Sequence, residues 1–128
     1  MKLVFIVGLG SFAGGILRYL LSTAIQGKVN GDFPYGTLAV NLIGCFVIGC
    51  LFGLAEKWQL GVEWRLLLVT GLIGGFTTFS AFSVETFHLM RTGQVWMAVS
   101  YVLSSVVIGV CLTALGAWLF RVGPFVLK

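Results

Sequence analysis

Residues 71–85, GLIGGFTTFSAFSVE, set a dense group of polar side chains into an otherwise apolar run. Thr77, Thr78, Ser80 and Ser83 bring hydroxyls that donate and accept hydrogen bonds without carrying charge. Phe79 and Phe82 are three residues apart, so on a helix they share a face. The edge of an aromatic ring is positive, and a ring presented edge-on attracts an anion with no fixed charge. Neutral donors of this kind suit an ion that is held weakly enough to leave. Gly74 and Gly75 precede the hydroxyls, and each glycine weakens a helix by about 1 kcal/mol against alanine. Irregular backbone at membrane depth survives only where protein or a water-filled path surrounds it. The stretch therefore reads as a permeation path or binding site within a membrane span.

Further polar groups recur at helical spacing. Thr37, Asn41 and Gly44 share one face of their helix, and Asn41 is the only amide deep in an apolar span. Its NH₂ offers two donors and its oxygen accepts; the plain alternative is a hydrogen bond between helices. Tyr101, Ser104 and Ser105 form another face, for which the plain alternative is packing, with serines bonded back to their own helix. Glu85 closes the apolar run and His88 follows one turn later, with no second carboxylate for a proton relay and no partners for a metal or catalytic site. No Ser/His/Asp set, phosphate loop or two-metal cluster is present, so the reading is not an enzyme. Cys45, Cys50 and Cys111 lie in apolar segments without zinc spacing and read as packing residues.

The elements that must position these groups follow from composition. The 128 residues are 59% hydrophobic and 9% charged, with mean hydropathy +1.06. Those values exclude disorder and argue against a soluble domain. A hydrocarbon core needs about 20 apolar residues per helix. Four segments meet this, at about 3–27, 33–57, 63–91 and 94–121, with the third interrupted between Gly74 and Thr78; the whole chain, 1–128, is one membrane domain. Lys2 before an apolar run resembles a secretory signal, but Arg18 lies deep in that run and no A-x-A site follows, so a retained helix is expected. Gly10 with Gly14, and Gly49 with Gly53, have the spacing that lets helices approach closely in lipid. Residues 27–32 form a turn, Pro34 suits a first helical turn, Trp58 and Trp64 mark an interface, and the fourth helix stops before Gly123-Pro124.

The net charge of +4 is too dispersed for a nucleic-acid surface. Lys2, Lys57, Arg65, Arg121 and Lys128 fall on the side of the amino terminus, and Lys28 and Arg91 on the other, a mild bias that leaves both membrane orientations open. Four thin helices enclose little volume. A polar path is expected between subunits, with a twofold homodimer the default.

Four signatures then converge: Gly-x-x-x-Arg-Tyr at 14–19, Gly-Thr-Leu-x-Val-Asn at 36–41, Gly-Gly-Phe-Thr-Thr-Phe-Ser-x-Phe-Ser-x-Glu at 74–85, and Tyr101 with Ser105. On them the chain resembles the Fluc (CrcB) fluoride channels over nearly its whole length. The resemblance implies an all-α integral membrane protein of four transmembrane helices per subunit, forming an antiparallel, dual-topology homodimer with two pores. It implies passive, selective fluoride conduction across a bacterial inner membrane, lowering cellular fluoride and its toxicity. By position, it implies that Asn41 donates at the end of the pore, that Phe79 and Phe82 meet fluoride edge-on, and that Thr37, Tyr101 and Ser105 line a polar track. It implies that main-chain carbonyls of Gly74 and Thr77 bind a central sodium ion, and that Arg18 stands at a vestibule, with Glu85 a vestibule or structural residue. Ala81 departs from relatives that carry a hydroxyl there. A competing reading, a small proton-coupled dual-topology exporter, would need an embedded carboxylate, for which only Glu85 qualifies. A noncatalytic membrane subunit would leave the Thr/Phe/Ser pattern without a reason.

Overall fold

The computed structural model describes residues 1–58 and 60–120, with residues 56–58 described by backbone alone. The side chains of Lys57 and Trp58, the charges at Arg121 and Lys128, and the Gly123-Pro124 stop lie outside what is described. Five helices make up the described chain: α1 (Lys2–Gln26), α2 (Tyr35–Trp58), α3 (62–76), α4 (Phe79–Arg91) and α5 (Val95–Phe120). Four segments are long and apolar enough to cross a membrane: Lys2–Gln26, Tyr35–Ala55, Val62–Arg91, which contains both α3 and α4, and Val95–Phe120. Two stretches are wound wider than an α-helix. Leu66–Ile73 in α3 and Ser104–Ile108 in α5 are π-helical, a winding that often accompanies function.

Helix pairs form where glycine removes a side chain. α1 lies on α3 so closely that a Cβ at Gly14 would overlap the Leu72 carbonyl, and one at Gly75 would stand 2.6 Å from the Ser11 carbonyl oxygen. α2 lies equally close to α5, where Gly49 faces the Thr113 carbonyl and Thr113 Oγ1 donates across to the Cys45 carbonyl at 3.0 Å. Such contact between backbones is the main source of association in lipid, where burial of apolar surface gives nothing. α4 packs on α5 through a small core of Leu89, Ala98 and Tyr101, with Phe33, Leu38 and Phe82 around it.

The connections are fastened by side chains. Gln26 Nε2 donates to the Phe33 carbonyl at 3.1 Å, and its Oε1 accepts the Gly36 N–H at 3.0 Å, so one amide closes the α1–α2 turn and caps α2. Helix α2 starts at Tyr35, and the Pro34 carbonyl accepts the Leu38 N–H at 3.0 Å. Gln94 Nε2 reaches Asp32 Oδ2 at 2.6 Å and ties the α4–α5 turn to the α1–α2 turn. Large apolar side chains such as Phe5, Phe12, Phe52, Trp96 and Trp118 point outward, as hydrocarbon surroundings allow.

Candidate functional site

The site is organised around two extended residues between α3 and α4. Thr77 has φ −84°, ψ 158° and Thr78 has φ −149°, ψ 119°. Gly74 and Gly75 remain helical, in Gly74–Phe76. The glycines serve the approach to α1, and the departure from helix lies just after them.

Asn41 holds that departure in place. Its Oδ1 accepts the Thr78 N–H at 2.8 Å and its Nδ2 donates to the Thr78 carbonyl at 3.1 Å, so a single amide satisfies both backbone groups. In a continuous helix the Thr78 N–H would donate four residues back, to Gly74. Thr78 Oγ1 in turn accepts the Ala81 N–H at 3.3 Å as the N-cap of α4, a donor that an unbroken helix would aim at the Thr77 carbonyl. Side chains have thus diverted the helical donors of the Gly74 and Thr77 carbonyls. Thr77 is itself fixed by its N–H and its Oγ1, both donating to Ile73 at 3.0 Å.

A cleft of about 360 Å³ opens beside this point, lined by Asn41, Gly44, Thr77, Phe79, Phe82 and Ser105 among others, with no charged side chain among its described lining. The rings of Phe79 and Phe82 stand 5.6 Å apart at 41°. Phe82 also leans on Tyr101, 5.1 Å between centroids. Phe79 is 78% exposed, so the cleft is open on that side. Ser105 Oγ is buried and has no hydrogen-bond partner.

A second cavity, about 330 Å³, lies among α1, α2 and α4, with Arg18, Ser22, Thr37, Thr78 and Glu85 in its walls. Glu85 Oε1 accepts the Thr37 hydroxyl at 2.6 Å and Oε2 accepts the Tyr101 hydroxyl at 2.7 Å. Tyr101 is 0% exposed and Thr37 7%. Both hydroxyls are therefore spent on one carboxylate. The structure brings Asn41, Thr77, Phe79, Phe82 and Ser105 to one cleft, and Arg18, Thr37 and Glu85 to the other cavity, with Tyr101 bonded to Glu85. Thr78 lines both. Its role as the residue clasped by Asn41 was not read from the sequence, although a threonine at the start of a helical run is a cap signal.

Fold and site together define a small multi-pass membrane protein whose cleft is lined by neutral polar groups and aromatic rings. Residues 5–117 match the family described as CrcB-like protein, Camphor Resistance (CrcB). The chain is 47% identical over 118 residues to the fluoride-specific ion channel FluC of Methylobacillus flagellatus, covering 91% of this chain and 92% of that one. It is 45% identical over 117 residues to the Aquifex aeolicus FluC, covering 91% and 94%, and 40% identical over 119 residues to that of Phocaeicola vulgatus, covering 93% and 98%. The chain belongs to the CrcB (Fluc) fluoride channel family.

Proposed function

We propose that this protein is a passive, fluoride-selective channel of the bacterial inner membrane that lets fluoride leave the cell and so limits its toxicity. The observation that carries this reading is the uncharged cleft, where Asn41, Phe79, Phe82 and the unpartnered Ser105 hydroxyl meet, in a chain whose relatives are named for fluoride. Fluoride is small and strongly hydrated, so a path must replace its water. Asn41 spends one N–H on Thr78 and keeps the other. Ser105 brings a free hydroxyl, and the ring edges add weak positive potential. Every donor is neutral, so no single site traps the ion. Nothing in this sequence of events forms a covalent bond, as befits a channel and not an enzyme.

The functional unit in this reading is an antiparallel, dual-topology homodimer with two pores. The exposed Phe79 ring and the open cleft support it, since a second copy would supply the missing wall. A structural sodium ion at the centre fits the donor set: the Gly74 and Thr77 carbonyls have lost their helical donors, and a hard cation takes oxygen ligands of that kind. When bound, the ion supplies fixed positive charge beside the path without a lysine or arginine. Arg18, in the wall of the second cavity, adds charge at a vestibule. Glu85, the carboxylate that a proton-coupled exporter would need, has both oxygens occupied by hydroxyl donors.

The test is efflux from liposomes read with a fluoride electrode. Electrical fluoride leakage with chloride excluded is expected, and equal chloride and fluoride flux sinks the selective pore. Chemical cross-linking in the membrane should give dimers. Replacing sodium with N-methylglucamine should lower the melting temperature of the purified dimer; an unchanged melting temperature counts against the ion.

A further inference from the structure

The glycines that draw the helices together in pairs also leave two helices apart. Gly71 turns α3 toward α1, where a Cβ would stand 2.9 Å from the Val7 carbonyl oxygen. Gly49 turns α2 the other way, onto Thr113 of α5. α2 meets the end of α3 at Gly44, where a Cβ would overlap the Thr77 methyl group. Beyond that contact a groove of about 390 Å³ opens between them. Ile48, Leu51 and Phe52 of α2 and Leu66 and Val69 of α3 line it, and Phe52 is 67% exposed. Two polar residues stand in its described lining, Arg65 and Thr70. The cleft at Asn41, by contrast, has no charged side chain in its described lining. Arg65 lies in the first turn of α3, beside the exposed Trp64, an aromatic of the kind that marks a membrane boundary. Thr70, also exposed, follows five residues later, about 7 Å further into the bilayer. Glu63, two residues before Arg65, is already engaged by Lys2 at 2.7 Å.

Apolar walls in a membrane do not choose among lipids, because hydrocarbon gains nothing on leaving hydrocarbon. The choice falls to the polar residues. A guanidinium grips a phosphate through two parallel N–H donors, and basic pockets between spans hold anionic head groups. We propose that the α2–α3 groove is a site for one anionic phospholipid: Arg65 holds the phosphate, Thr70 donates to an ester oxygen below it, and one acyl chain lies along Ile48, Leu51 and Val69. Ile48 to Ala55 spans about 10 Å of α2, roughly two thirds of the hydrocarbon depth of one leaflet. A zwitterionic head would bring an ammonium beside the guanidinium and offset part of the attraction. A second copy of the chain seated here would have to bring a carboxylate to Arg65. Among the described carboxylates, Asp32, Glu63 and Glu85 are each bonded already. A lipid brings its own phosphate. The groove is distinct from the cleft, since only Ile48 is common to their described linings, and the inference stands apart from the channel reading.

The experiment places the purified protein in detergent micelles with equal amounts of phosphatidylglycerol and phosphatidylcholine of identical chains, and reads the retained lipid by native mass spectrometry. Wild type should retain phosphatidylglycerol in preference. Arg65→Gln should cut that preference about fivefold, the value of one arginine at an anionic head group. Ala55→Phe fills the groove and leaves the charge in place, and it should lower phosphatidylglycerol retention too. Lys28→Gln, in the α1–α2 turn, should change nothing. No preference in wild type overturns the proposal. So does an unaltered preference in Arg65→Gln, full retention in Ala55→Phe, or an equal loss in Lys28→Gln, each of which leaves only general attraction of charge. If Arg65→Gln does not fold, wild type alone decides. Phosphatidylglycerol with a photoactivatable group on one chain should label residues 48–55 and 62–70 above all others. Even labelling of all four spans overturns the site, and so does labelling that spares those two segments, the result expected if a second copy of the chain covers the groove. Fluoride efflux enters none of these readouts, so failure of the lipid site and failure of the channel reading are distinct.

Discussion

Helices α3 and α4 belong to one membrane span and are joined by two residues, yet they are held in opposite ways. α3 meets α1 backbone to backbone, through Gly10, Gly14, Gly71 and Gly75. α4 is tethered by a few hydrogen bonds at named atoms: Asn41 to Thr78, and Thr37 and Tyr101 to Glu85. Close backbone contact leaves no room for a solute and tolerates no added atom. α4 also packs on α5 through Leu89 and Phe82, while Phe79 stays exposed beside the cleft. The contrast teaches that the span divides in two, its first half held by close contact with α1 and its second half lining the cleft.

Changes on the two sides of this division should differ in kind. The largest effect is expected from Gly14→Leu, whose side chain would occupy the place of the Leu72 carbonyl. No monodisperse protein should elute from size exclusion, and a well-behaved Gly14→Leu protein would break the claim that α3 is held by contact. Asn41→Leu should come next. It leaves the Thr78 N–H and carbonyl unpaired, at about 1–3 kcal/mol each, so thermal unfolding should shift down by several kelvin while α1–α3 packing persists. Phe79→Ile and Phe82→Ile should fold normally and lose about tenfold in fluoride efflux, the upper end of an aromatic contribution; unchanged efflux in both would remove the rings from the path. Lys2→Ala should do least. The Lys2–Glu63 pair at 2.7 Å is exposed on both sides, so stability should stay within about 0.5 kcal/mol, and a larger shift would show that the entry to α3 depends on charge.

Much of this architecture could be read from residue types. Four apolar runs of sufficient length announce four spans, because the hydrocarbon thickness sets a minimum that few other folds require. Close-approach glycines were legible at Gly14 and Gly49, since small residues repeated every four positions have little other use in lipid. Of the residues expected along one track, Ser105 lines the cleft, Thr37 lines the second cavity and Tyr101 bonds to Glu85. Thr37 and Tyr101 follow Glu85, 48 and 16 residues away, because a carboxylate in a span must find donors wherever they lie. No local pattern encodes that choice. The π-helical stretches were equally invisible, as one extra residue per turn barely alters an apolar pattern. The helical state of Gly74 and Gly75 was hidden too. The helix departs only after them, at Thr77 and Thr78, where Asn41, 37 residues distant in sequence, bonds the Thr78 backbone.

The open side of the cleft has a consequence for the life of a newly made copy. A solitary protomer presents Thr77, Phe79 and a hydroxyl-bearing trough to acyl chains, and a trough with one wall offers ions no continuous wet route. In the proposed dimer, closure and competence arrive in the same event. On that proposal, unmatched copies inserted one at a time would be electrically quiet, and the cell would be spared a leak until a copy of opposite orientation appeared.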